Sequence, residues 1–121
     1  MITEILEKWC SENDIPLTDA QKKAFETYAG LLTEWNKKMN LTAITEESEI
    51  AVKHFIDSIS VLKCIDFKHN ASFIDIGTGA GFPGIPLAIM YPNIEFTLLD
   101  TLTKRINFLD EVCKELELDN I

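Results

Sequence analysis

No stretch of this sequence approaches the roughly 18 consecutive apolar residues that a membrane-spanning helix requires. The opening residues Met1-Ile2-Thr3-Glu4 lack the basic region and apolar run of a secretory signal, so a cytoplasmic, reducing location is expected. Cysteine is scarce as well. Cys10, Cys64 and Cys113 are odd in number, far apart and each set among apolar neighbours, which favours buried free thiols over disulfides or zinc ligation. Positive charge is the other shortage: 11 Lys and Arg stand against 20 Asp and Glu, a net charge of −9. The deficit runs along the whole chain, with 8 basic and 12 acidic groups in residues 1–70 and 3 and 8 in residues 71–121. A field of that sign repels nucleic acid and counts against a free-standing RNA or DNA binder.

What is present is ordinary globular material: 121 residues, 46% hydrophobic and 26% charged, fit one domain of modest size. A compact chain of this length buries about two-thirds of its unfolded surface, enough for a core without disulfide staples. Ile2, Ile5, Leu6 and Trp9 recur at helical spacing and stop before Asn13-Asp14-Ile15-Pro16, where the residue ahead of proline is pushed out of the helical region. Thr18 and Gln21 form a capping box for a second helix, with Ala20, Ala24, Tyr28, Leu31, Leu32, Trp35 and Met39 on one face. Thr45 is the candidate N-cap of a third, running to about Lys63 with Val52, Phe55, Ile59 and Leu62 on a stripe. Trp9 and Trp35 fit apolar stripes and are assigned to the core. Residues 1–66 therefore read as one helical region.

From residue 67 the pattern changes. Ser72-Phe73-Ile74-Asp75-Ile76 is a short β-prone run closed by glycines, and Ile94 to Leu99 is a second, preceded by the turn signal Tyr91-Pro92-Asn93. Pro86 to Met90 reads as a helix between them, Pro86 suiting its first turn, and Leu102 to about Leu118 as a helix after them. Strand, helix, strand is a βαβ unit with parallel strands joined by a right-handed crossover. Two parallel strands make a poor sheet, so the chain is expected to be the front portion of a longer α/β domain. Alone, it is expected either to pair as a dimer through the exposed sheet edge or to lose order in residues 72–118.

Glycine is rare, five residues in all, yet four of them fall within eight positions: Gly77-Thr78-Gly79-Ala80-Gly81-Phe82-Pro83-Gly84. A tight strand-to-helix turn needs one such residue; the others suggest that a ligand approaches the backbone closely. The dinucleotide fingerprint G-x-G-x-x-G would need glycine where Phe82 stands, which weakens an NAD reading. A G-x-G-x-G loop two places after an acidic residue suits S-adenosylmethionine instead, whose amino group and sulfonium are cationic and would favour a carboxylate such as Asp75 nearby. Asp100 ends the second strand, at the edge where open α/β sheets bind ligands, and can accept both ribose hydroxyls. It can equally cap the helix that follows, and the two roles are compatible.

Residues 73–89 (Phe-Ile-Asp-Ile-Gly-Thr-Gly-Ala-Gly-Phe-Pro-Gly-Ile-Pro-Leu-Ala-Ile) and 99–109 (Leu-Asp-Thr-Leu-Thr-Lys-Arg-Ile-Asn-Phe-Leu) closely resemble the glucose-inhibited division protein B family (GidB, RsmG). So do residues 34–44 and His54-Phe55-Ile56-Asp57-Ser58. The resemblance implies an N-terminal helical part followed by a Rossmann-like class I methyltransferase fold, of which residues 67–121 would be the first βαβα portion. It implies S-adenosylmethionine as cofactor and N7 of a guanine in 16S ribosomal RNA as acceptor, with small-subunit RNA or a 30S-type particle as partner. Carried over by position, cofactor contacts fall on Gly77 and Phe82, with Asp100, Thr101 and Leu102 around the adenosine; Asp75, Gly79 and Gly81 complete the expected site. Family members continue through further strands, so full catalytic competence is not expected of these 121 residues alone.

The remaining constellations are weaker. Lys37, Lys38 and Asn40 could touch RNA phosphates, although a helix end favours basic residues by itself. His54, Asp57 and Ser58 share a helix face, but i, i+3, i+4 geometry rarely makes a hydrolytic triad; His54 reads as structural or as lying near the substrate. His69, in a polar loop, has no evident partner. The short chain and its acidity leave a second function class open, a non-catalytic nucleotide-binding or regulatory module built on the same loop.

Overall fold

A computed structural model describes residues 2–64 and 72–121. The expected boundary at 66/67, and His69 with it, lies outside the described residues. Helix α1 spans Ile2–Glu12 and buries Ile2, Leu6 and Cys10. It ends where Asp14 turns left-handed (φ 55°) and Ile15 N–H reaches back to the Cys10 carbonyl at 2.9 Å. Helix α2, Asp19–Met39, begins with the expected capping box: Thr18 Oγ1 accepts from Gln21 N at 3.1 Å while Gln21 Oε1 accepts from Thr18 N at 2.8 Å. Its buried face is Phe25, Tyr28, Ala29 and Leu32, with Leu31 and Trp35 half-buried beside it; Ala20, expected on that face, is exposed in the first turn.

The third helical run, α3 over residues 47–63, departs from its expected form. It is compound: an α-turn Glu47–Glu49, a π-helical stretch Ile50–Ile56, a second α-turn Asp57–Ile59 and a 3-10 turn Ser60–Lys63. Glu46, not Thr45, occupies the N-cap position. The π stretch bonds over five residues rather than four, so its inward face advances more slowly around the axis. Ile50, Ala51, Phe55 and Ile59 are buried, whereas Val52, placed on the stripe by 3.6-residue counting, is 49% exposed.

Strand β1, Ser72–Ile76, pairs in parallel with β2, Glu95–Leu99, in the register Ser72↔Glu95 to Ile76↔Leu99. Helix α4, Gly84–Met90, connects them, starting two residues before the proline expected to open it, and helix α5, Thr103–Glu115, follows β2. Beyond α5 the backbone runs beside β2, with Phe96 N donating to Asn120 O at 2.8 Å. Among the described residues, the helices pack on one face of the sheet. The side chains of Phe73, Asp75, Phe96 and Leu98 alternate toward them; those of Ile74, Ile76 and Leu99 stand 59%, 80% and 48% exposed on the other face. One apolar cluster joins Leu6, Phe25, Tyr28, Leu32, Phe55 and Ile59 of the helical region to Ile85, Ile89, Phe108 and Val112 of the βαβα portion. The glycine loop is thus built against α2 and α3.

The cysteines are free, as expected, but not uniformly buried: Cys10 is, Cys113 is half-buried and Cys64 is exposed just after the 3-10 turn. Trp9 and Trp35 pack on the core half-buried, Trp9 with the Lys63 ammonium 5.6 Å from its ring centre. Among the described residues no helix is long and apolar enough to cross a membrane.

Candidate cofactor site

The glycine loop leaves β1 by crossing over the end of β2. Gly77 N and Thr78 N both donate to the Leu99 carbonyl, at 2.8 and 3.0 Å, and Thr78 O then accepts from Gly81 N and Phe82 N at 3.0 and 3.2 Å. Gly77, Gly79 and Gly81 all have positive φ (73°, 60° and 101°), which a residue with a side chain rarely adopts. Their surroundings divide them. A Cβ built on Gly77 or Gly79 meets nothing within 4 Å and would project into open space, so no neighbour in the fold demands its absence. A Cβ on Gly81 would come within 2.6 Å of both Ile85 Cδ1 and Tyr28 Oη, and one on Gly84 would strike Leu98. Internal packing alone accounts for Gly81 and Gly84. The open flank of Gly77 and Gly79 leaves backbone that a ligand such as S-adenosylmethionine could approach.

Two carboxylates hold the loop, and they differ. Asp75, expected to face the cationic end of a cofactor, is buried beneath the loop, where Oδ2 accepts from Thr78 Oγ1 at 2.7 Å and from Gly84 N at 3.0 Å. Its visible work is bracing. Asp100, half-exposed as a residue but with a side chain only 3% exposed, bridges from the end of β2: Oδ2 accepts from Gly79 N at 2.9 Å and Oδ1 from Leu102 N at 3.1 Å. The second of these bonds is the helix-entry role, at the start of α5, where Leu102 stands at the N-cap position. The Leu102 amide foremost, with the Gly79 amide and the Arg105 guanidinium 3.5 Å away, holds the Asp100 carboxyl below the usual carboxylate range, against the opposing pull of burial. An ionised carboxylate offers about four lone-pair positions, so two backbone amides leave capacity for ribose hydroxyls. Thr101 and Leu102 are exposed on the rim beside it.

Phe82, at the end of the loop, packs toward the helical region. It is stacked between Tyr28 of α2 (ring centres 5.4 Å, planes 24° apart) and His54 of the π stretch (4.3 Å, 3°). His54 Nε2 lies 2.8 Å from Thr42 Oγ1, and Thr42 N donates to Asn36 Oδ1 at 2.8 Å. Burial lowers the His54 pKa, with the Asp57 charge acting weakly the other way, so the ring stacks in its neutral form. The helix-face grouping with Asp57 and Ser58 is no triad: Ser58 Oγ donates to the His54 carbonyl at 2.6 Å, one turn back. Lys37 and Lys38 are exposed in the last turn of α2 and Asn40 is its left-handed C-cap (φ 50°), positions that helix termination explains.

Sequence reasoning missed Tyr28 and Thr42. Tyr28 Oη donates to the Ala80 carbonyl at 2.5 Å across 52 residues of chain, and the one available signal was that a tyrosine on a buried face needs a partner for its hydroxyl.

The family model for GidB, described as rRNA small subunit methyltransferase G, matches residues 21–121. The chain belongs to this family. It is 53% identical over 120 residues to the ribosomal RNA small subunit methyltransferase G of Desulforamulus reducens, which covers 99% of this chain and 50% of that protein. The protein of that name from Alkaliphilus metalliredigens is 50% identical over 117 residues, covering 97% of this chain and 49% of the relative. That of Staphylococcus aureus strain JH9 is 48% identical over all 121 residues, or 51% of its length. This GidB chain therefore spans about half the length of the curated relatives it matches. The expected family and fold class are borne out, and the glycine loop, Asp100 and the Phe82 stack all lie within the matched residues.

Proposed function

We propose that the protein to which these residues belong is an S-adenosylmethionine-dependent methyltransferase acting on N7 of a guanine in small-subunit ribosomal RNA, and that this chain supplies one wall of its cofactor site. The observation that carries the reading is the cradle itself: Gly77 and Gly79 open on one side and the Asp100 carboxylate held 2.9 Å from Gly79 N at the end of β2. The names of these relatives support the substrate class. When bound, the cofactor supplies an activated methyl group on a sulfonium. Asp100 would accept from its ribose, and Gly77, Gly79, Thr101 and Leu102 would line its adenosine side. Methyl transfer to a ring nitrogen needs aligned, desolvated reactants rather than a covalent nucleophile. Phe82, packed on Tyr28 and His54, gives the cleft an apolar flank suited to excluding water.

The formal charge of −9 places the attraction for RNA elsewhere than in this chain as a whole; Lys37, Lys38, Asn40 and His54 are the local RNA-contact candidates. The test is methylation by the product of the complete reading frame encoding these residues. Undermethylated small ribosomal subunits incubated with it and S-adenosylmethionine should gain one methyl at a guanine N7. No transfer under those conditions would overturn the reading.

A further inference from the structure

The glycine loop is gripped from the strand side by Asp75 and Asp100 and from the helical side by the Tyr28 hydroxyl. Tyr28 sits in the middle of α2, fully buried, with its ring stacked on Phe55 and Phe82 and its hydroxyl 2.5 Å from the Ala80 carbonyl. Ala80 lies between the open glycine, Gly79, and the packed one, Gly81, whose missing Cβ is exactly what lets Tyr28 Oη approach. We propose that Tyr28 is a positioning residue of the cofactor site: its hydroxyl fixes the Ala80 peptide and so sets the loop shape that S-adenosylmethionine meets. Burial raises the Tyr28 pKa well above its ordinary value, which keeps the hydroxyl a donor near neutral pH. The ring fills the core and packs on Phe82; the hydroxyl reaches the loop backbone at Ala80. Through it, α2 is coupled to the cleft without touching the ligand. The proposal rests on the cofactor reading of the loop given above.

Tyr28→Phe removes the hydroxyl and keeps both ring stacks. Binding of S-adenosylmethionine to the chain, followed by the backbone amide resonances of Gly77 and Gly79, should weaken about three- to tenfold, the worth of one net hydrogen bond. In the same variant without cofactor, the Gly81 and Phe82 amides should already be displaced. Val112→Ala, in the buried face of α5 and outside the loop, is the control for lost stability: it should lower the melting temperature with no change in affinity. If Tyr28→Phe binds as tightly as the unaltered chain and leaves those amides in place, the proposal is overturned while the cofactor reading stands. If the unaltered chain binds no S-adenosylmethionine, the same comparison in the product of the complete reading frame decides; if that product binds none either, the cofactor reading falls and the proposal with it. Should Tyr28→Phe not fold, 3-fluorotyrosine in the unaltered sequence gives the same answer, because Tyr28 and Tyr91 are the two tyrosines. The fluorine signal of Tyr28 should move on titration while that of Tyr91 does not, and a stationary Tyr28 signal would refute the role.

Discussion

Replacing Gly79 and Gly81 by alanine should separate the site from the fold. Both residues have positive φ, but Gly79, at 60°, lies in the left-handed region that L-residues visit at a cost of about 1–2 kcal/mol, and its added Cβ would point into open space. Gly81, at 101°, carries a larger backbone cost, about 1–3 kcal/mol. Its Cβ would also press within 2.6 Å of Ile85 Cδ1 and Tyr28 Oη, two side chains with no solvent exposure and no room to retreat. Overpacking of that kind adds about 1–3 kcal/mol, so Gly81→Ala should cost about 4 kcal/mol, against about 1.5 kcal/mol for Gly79→Ala. Urea denaturation followed by the fluorescence of Trp9 and Trp35 reads the difference. With a slope of about 1.5 kcal/mol per molar, the midpoints should fall by roughly 2.5 M and 1 M. Gly79→Ala should nevertheless bind S-adenosylmethionine much more weakly than the unaltered chain, because its methyl occupies the cradle. Equal, small losses of stability in the two variants would show that Tyr28 and Ile85 do not clamp the loop, and the division of the glycines would fail.

Asp75→Ala should destabilise the chain by about 2–5 kcal/mol, since the buried Thr78 hydroxyl and Gly84 amide both lose their acceptor; an unchanged urea midpoint would mean that water replaces it. The folded-state pKa of His54 is lowered, so its neutral form is favoured by folding and stability should fall as pH drops below about 6.5, levelling once the folded-state group has also protonated. His54→Gln should flatten that part of the pH–stability curve, and an identical slope in the variant would remove His54 as the cause. A thiol reagent at mildly alkaline pH should modify Cys64 first, because Cys10 is buried and burial pushes the Cys113 thiol up to about 11; mass mapping that found Cys10 labelled first would contradict the packing of α1. Sedimentation of the chain alone should show dimers burying the Ile74, Ile76 and Leu99 face, or hydrogen exchange should show weak protection in residues 72–118; a monomer protected throughout would refute this.

The sequence announced local features well and distant ones poorly. Thr18 and Gln21 are three residues apart, so the capping box could be read directly, and the hydrophobic runs around Ile74 and Phe96 fixed both strands and their parallel pairing. The π stretch was invisible because its inward positions, Ile50 and Phe55, are spaced by five, and counting at 3.6 put Val52 inside instead. The glycine cluster pointed to a ligand loop, but its spacing could not show that Gly81 answers to Tyr28, 53 residues earlier, and Gly79 to open space. Asp75 was expected at the cationic end of the cofactor and Asp100 at its ribose. Their difference arises from the pleat, which turns Asp75 under the loop, and from the chain reversal after Leu99, which brings Asp100 across to Gly79.

On the reading proposed above, the open flank of Gly77 and Gly79, closed by Asp100, receives S-adenosylmethionine. Titration of the isotope-labelled chain with S-adenosylmethionine, NAD and ATP in parallel tests it most directly. Weak, saturable shifts confined to Gly77, Gly79, Thr101 and Leu102 are expected with S-adenosylmethionine, lost in Asp100→Asn, and none of comparable strength with the other two. Tight binding of NAD or ATP at the same amides, with no response to S-adenosylmethionine, would contradict it.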